Sequence, residues 1–193
     1  MEHAIALSER SLTLPRVTAV ILGAAFVALA AQVSVPLPGT PVPMTLQPLA
    51  VLLVGGLLGS RLGAASMVLY LVLGIAGLPV FTPTVPLLGI ARLLGPTGGY
   101  LLAYPVAAFA VGALNPGLAP GVSLPRWARV AVGVLVGLVL IHVGGLAQLA
   151  ILTGNVSAAA RLGTVPFLLG DLAKLAVATA VLAKLTPAVR ARL

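Results

Sequence analysis

Residues 127–152 read WARVAVGVLVGLVLIHVGGLAQLAIL, and Arg129 is the only Lys, Arg, Asp or Glu among them. A helix needs about 20 consecutive apolar residues to cross the hydrocarbon core of a bilayer. The run is apolar throughout rather than at alternate positions, which selects a helix over a barrel strand. The rest of the chain has the same character. Of its 193 residues 60% are hydrophobic and only 7% charged, against roughly 25% charged in a soluble domain, and its mean hydropathy is +1.19. These values predict an all-α integral membrane protein, whose backbone polar groups pair within helices because lipid offers no partner.

Reading outward from that segment gives six expected transmembrane helices. They run about Arg16 to Val33, Leu46 to Ser60, Leu62 to Leu78, Gly98 to Leu114, Trp127 to Leu152 and Pro166 to Leu185. The second and third are separated only by Gly59-Ser60-Arg61-Leu62-Gly63, a tight turn. The stretch Val17 to Ala31, with Ala28-Leu29-Ala30, also fits a cleavable signal, but its length and the apolar segments after it make a first transmembrane helix the plainer reading. The expected organisation is a cytoplasmic segment over 1–15 and one transmembrane domain over 16–193. No internal repeat is visible.

Charge placement orients the bundle. With both termini cytoplasmic, Arg10, Arg16, Arg61, Arg126, Arg129, Lys184, Arg190 and Arg192 lie inside, and Arg92 and Arg161 outside. Eight against two favours an N-in, C-in arrangement in the cell membrane. The net charge of +8 is scattered singly between apolar runs, so it reads as a topology signal and not as a nucleic-acid patch. There are no cysteines, hence no disulfide, thiolate metal site or cysteine nucleophile. No phosphate-binding glycine loop, nucleophile elbow or HExxH pair is present. ATP hydrolysis and intramembrane proteolysis are therefore not expected of this chain, and no metal or cofactor is implied.

Three connections fall on the outer side. Residues 34–45 carry four prolines in eight residues (Pro36, Pro38, Pro41, Pro43) and predict an extended, polyproline-like loop. The apolar segment from Pro79 to Thr97 predicts a cap folded back over the bundle. A short link precedes Pro166. Asp171, the only acidic residue after Glu9, then lies about 7–8 Å into the sixth helix, with Lys174 three positions on and on the same face. Intramembrane charges cost roughly 2.5–3.5 kcal/mol each on insertion scales and mark functional sites by default. The pair therefore reads as a ligand contact, with a self-neutralising structural ion pair as the plainer rival.

Other candidates are weaker. Gly95-Pro96-Thr97-Gly98-Gly99-Tyr100 opens the fourth helix with a close backbone approach and one aromatic hydroxyl. Thr45 and Gln47 open the second helix as a helix cap or a ligand contact. Arg92 lies in the outer loop, where it can pair with an anion or be solvated. His142, beside Gly144 and Gly145, reads as a helix-packing histidine bonded to a backbone carbonyl. Ala24 and Ala28 form a small-xxx-small face on the first helix.

Four blocks in order carry a resemblance: Val33-Ser34-Val35-Pro36-Leu37-Pro38 with Thr45-Leu46-Gln47; Gly77-Leu78-Pro79-Val80-Phe81; Gly95-Pro96-Thr97-Gly98-Gly99-Tyr100; and Gly170-Asp171 with Lys174. Together they resemble the BioY family, the biotin-specific substrate-binding (S) components of energy-coupling factor (ECF) transporters. The resemblance implies a six-helix protein that captures biotin from outside and docks on a transmembrane coupling subunit with two cytoplasmic ATPases. Some such proteins act alone or as homo-oligomers. It also implies ligand contacts at Asp171 and Lys174, with Gly98, Gly99, Tyr100, Thr45 and Gln47 lining the site, and a docking face at Ala24 and Ala28. Arg92 joins the ligand-binding candidates as an outer-loop cation that can pair with an anion. The chain departs from the family's pattern at Leu101-Leu102-Ala103-Tyr104-Pro105 and across Phe81 to Leu94. Another vitamin-like heterocycle on the same scaffold, or a non-transporting assembly subunit, are the alternatives.

Overall fold

The computed structural model describes residues 14–115 and 124–192. Arg10 and most of the segment expected over 1–15 fall outside them. The element order is α1 (Leu14–Gln32), β1 (Ser34–Val35), β2 (Met44–Thr45), α2 (Gln47–Leu58), α3 (Ser60–Ile75), α4 (Ile90–Leu94), α5 (Gly98–Leu114), α6 (Arg126–Thr153), α7 (Val156–Gly163) and α8 (Leu168–Arg190), with a 3-10 turn at Val165–Phe167. α1, α6 and the near-continuous stretch Val156–Arg190 are long and apolar enough to cross a membrane, whereas α2, α3 and α5 are shorter apolar helices.

All six expected helices are present, α5 with the expected bounds. α2 is shorter than expected at 12 residues, a rise of about 18 Å. The turn after it is shorter too. α2 ends at Leu58 and α3 begins at Ser60, with Gly59 alone reversing direction at φ +87. The expected polyproline-like loop over 34–45 is instead an antiparallel pairing at its base, Ser34 with Thr45 and Val35 with Met44. The prolines sit in the span between the strands, where no ladder donor is needed. The link before Pro166 holds α7, whose start is capped by Asn155 accepting the Ala158 N–H at 3.0 Å.

Close helix approach builds the bundle. A Cβ on Gly55 of α2 would lie 2.4 Å from the Ala108 carbonyl of α5, so that crossing requires glycine. The core joins Val27 of α1, Val51 of α2, Met67 and Tyr70 of α3, and Ala107 and Ala108 of α5. Large apolar side chains face outward instead, among them Leu22 and Phe26 on α1, Val106 on α5, Val139 on α6 and Leu172 on α8. Such a surface is matched to lipid. Ala24 is buried and Ala28 packs against the same core. The bundle itself thus covers Ala24 and part of Ala28.

Candidate functional site

The site is built where the start of α8 meets α6. Pro166 sits in the 3-10 turn that opens the helix, which places Asp171 in the first turn of α8, where the helix dipole favours a carboxylate. Lys174, one turn further on, donates from Nζ to Asp171 Oδ1 at 2.9 Å. Both are buried, 8% and 7% exposed. The second oxygen is met from another helix: His142 Nε2 of α6 lies 2.6 Å from Asp171 Oδ2. His142 is thus bonded to the carboxylate and not to a backbone carbonyl, which corrects the sequence reading. The charge default for intramembrane residues covers histidine as well; applied to His142, it leads to Asp171, the one carboxylate among the helices.

The neighbouring wall comes from α5. Tyr100 packs where Gly145 has no side chain, stands edge-on to His142 at 6.2 Å between ring centroids, and donates its hydroxyl to the Gly163 carbonyl at the end of α7. Thr97 and Tyr100, which flank Gly98 and Gly99, line the cleft, and the two glycines lie at helix contacts. A Cβ on Gly98 would lie 1.8 Å from the Leu93 carbonyl, and one on Gly99 2.1 Å from the Gly144 carbonyl. Both let α5 pack closely against α4 and α6.

A third wall is polar and belongs to the start of α2. The Thr45 hydroxyl donates to Gln47 Oε1 at 3.3 Å and accepts the Gln47 backbone N–H at 3.3 Å, while the N-cap position of α2 is Leu46, with no side-chain cap bond. Gln47 Nε2 donates to the Tyr70 hydroxyl at 2.5 Å. A fourth wall is Arg92 of α4. It is 2% exposed, so the solvated-loop alternative does not hold. One Nη donates to the Thr82 carbonyl, and the guanidinium lies 5.8 Å from the Phe81 ring centroid. Its Nε and Nη1 are buried without a partner. Burial draws its pKa below the usual value, so an anion beside it would favour the charged form.

These walls line a single cleft. Asp171, Lys174, Tyr100, Thr45, Gln47 and Arg92 all line it, as do His142 and the apolar Phe81, Leu101, Leu138, Ile141 and Phe167. The loops close over it through specific bonds. Thr40 donates to the Leu162 carbonyl at 2.6 Å, and Gln148 of α6 donates to the carbonyls of Leu93 and Gly95, both at 2.8 Å. Among the described residues no group of three or more His, Cys, Asp or Glu side chains could hold a metal ion. An apolar cleft with one ion pair, one further cation and a few amide and hydroxyl groups suits capture of a small polar-ended molecule.

A family profile described as the BioY family matches residues 4–191. Among curated relatives, a probable biotin transporter BioY of Pyrococcus horikoshii is 38% identical over 88% of this chain and 94% of its own. A biotin transporter BioY of Thermotoga maritima is 37% identical over 83% of this chain and 89% of its own. A crystal structure of the S-component for biotin from an ECF-type ABC transporter superposes with a TM-score of 0.77 and 26% identity, over 89% of this chain and 90% of that one. The chain belongs to the BioY family.

Proposed function

We propose that this protein captures biotin and serves its uptake as the S component of an ECF transporter. The observation that carries the reading is the buried Asp171–Lys174 pair in the wall of an apolar cleft. In biotin's cyclic urea the carbonyl and an N–H point the same way, forming an acceptor–donor edge. An ammonium beside a carboxylate presents the complementary edge, Lys174 donating to the ureido oxygen and Asp171 accepting the N–H. The thiophane ring and valeryl chain then lie against Phe167, Leu138 and Ile141. The valerate carboxylate meets the unpartnered N–H groups of Arg92, and Tyr100, Thr45 and Gln47 complete the walls.

The same reading makes the molecule a non-enzymatic, multi-pass component of the cell membrane. It has six spans, N-in and C-in, with residues 1–15 cytoplasmic and 16–193 one domain, and its cleft opens outward. Two features support this. Tyr100, Thr40 and Gln148 bond at the end of the bundle where Arg92 and Arg161 lie, and the other basic residues gather toward the opposite end. Partners under this reading are a transmembrane coupling subunit and two cytoplasmic ATPases, or further copies of the chain.

The test is equilibrium binding of labelled biotin to the purified, detergent-solubilised protein, with Asp171→Asn beside it and other vitamin heterocycles as competitors. Saturable binding displaced only by biotin, and weakened in the variant, is the expected result. No binding by a well-folded wild type would overturn the reading in favour of another ligand or an assembly role.

A further inference from the structure

We infer that His142 is a positioning residue of the biotin site, holding the Asp171 carboxylate in the one plane that presents its acceptor beside Lys174. The inference rests on the function proposed above. An aspartate's last side-chain torsion is broad and roughly two-fold, so the carboxylate has no intrinsic orientation. Lys174 reaches only Oδ1, and it does so from the same helix. His142 reaches Oδ2 from α6, and two anchors from two helices fix the plane. The imidazole is itself held: its ring and that of Tyr100 stand at 79° to one another, and Gly145, one turn on, brings α6 close to the Tyr100 ring.

Packing alone does not account for a histidine here. Nδ1 is buried and has no partner, a cost that an apolar side chain of similar size would avoid. Facing a carboxylate, Nε2 is the donor, so Asp171 is the ring's one hydrogen-bonded neighbour in the structure. The ligand edge and the imidazole therefore use different oxygens of one carboxylate, and His142 acts on biotin only through Asp171.

The test is a double-mutant cycle in biotin affinity, read by competition up to millimolar biotin so that weak binding is still measured. His142→Leu is expected to weaken binding by about 10- to 100-fold, the worth of a hydrogen bond to a charged group. In an Asp171→Asn background the same substitution is expected to change affinity by less than about 2-fold, because the carboxylate it orients is gone. His142→Gln, whose amide N–H reaches the place of Nε2, should restore most of the affinity, and the shorter His142→Asn should not. The Gln and Asn comparison decides the matter should the Leu variant fail to fold. Equal losses in both backgrounds, unchanged binding in His142→Leu, or a Gln variant no better than Asn would each overturn the inference while leaving biotin capture standing. Absence of biotin binding by the wild type would instead remove the reading on which it rests.

Discussion

Arg92 and Arg190 are the same side chain at opposite ends of the bundle, one beside the start of α5 and the other beside its end, and their surroundings differ. Arg190 donates from Nη2 to the carbonyls of Gly56 and Gly112, at 2.7 and 3.1 Å. These are carbonyls near the last turns of α2 and α5, which helices leave without internal partners. Asn115 adds bonds to the Gly56 carbonyl at 2.9 Å and the Thr186 hydroxyl at 3.1 Å. That end is a clasp that ties three helices, although Arg190 Nε and Asn115 Oδ1 are buried there without a partner. Arg92 donates only to the Thr82 carbonyl and leaves Nε and Nη1 facing no acceptor. A buried cation with unpartnered donors is expensive unless something else completes it. The difference is one of number and place: Arg190 binds two carbonyls and leaves one N–H unpartnered, whereas Arg92 binds one, leaves two, and lines the cleft, where a ligand can meet them.

The strongest way to break this comparison is at the ion pair. Asp171→Asn and Lys174→Ala are each expected to cost about 2–5 kcal/mol in biotin affinity, roughly 30-fold or more, since truncation leaves a buried partner uncompensated. Isothermal titration measures this, and a loss below about 3-fold in both would remove the pair from the site. Next comes Arg92→Gln, expected to weaken biotin by about 10- to 100-fold. Biotin methyl ester, which lacks the carboxylate, should bind wild type and this variant within a few-fold of each other. Equal sensitivity of acid and ester would reassign Arg92 to structure.

Smaller effects are expected where the bundle is only held together. Gly99→Ala would place a Cβ 2.1 Å from the Gly144 carbonyl and push α5 from α6, lowering stability by about 1–3 kcal/mol as read by thermal unfolding in detergent. Arg190→Ala should cost about 1–2 kcal/mol of stability, a few degrees in the midpoint, and leave biotin affinity within about 2-fold. A large affinity loss there would erase the contrast between the two ends.

Continuous apolarity located every long helix, because lipid imposes one rule on all of them. It also singled out Asp171 and Lys174, since charge among apolar residues needs no alignment to be noticed. The missed features depend on tertiary contacts. That His142 turns to Asp171 depends on how α6 crosses α8. That Gly98 and Gly99 sit at helix contacts, and that Ala24 is buried, depends on which side of each helix meets its neighbours, and apolar helices carry little amphipathic signal to tell. The sequence leaves Arg92 between an anion contact and solvation, and its burial depends on the loop's apolar residues folding over the cleft. The unexpected α7 is only 8 residues long, near the lower limit for a recognisable helical period.

A biotin-bound crystal structure of this protein would test the account most directly. The ureido carbonyl should lie within hydrogen-bond distance of Lys174 Nζ and a ureido N–H within reach of Asp171, with His142 still on the far carboxylate oxygen and the valerate carboxylate against Arg92. The valerate carboxylate beside Asp171 and Lys174, or biotin outside the cleft, would contradict it.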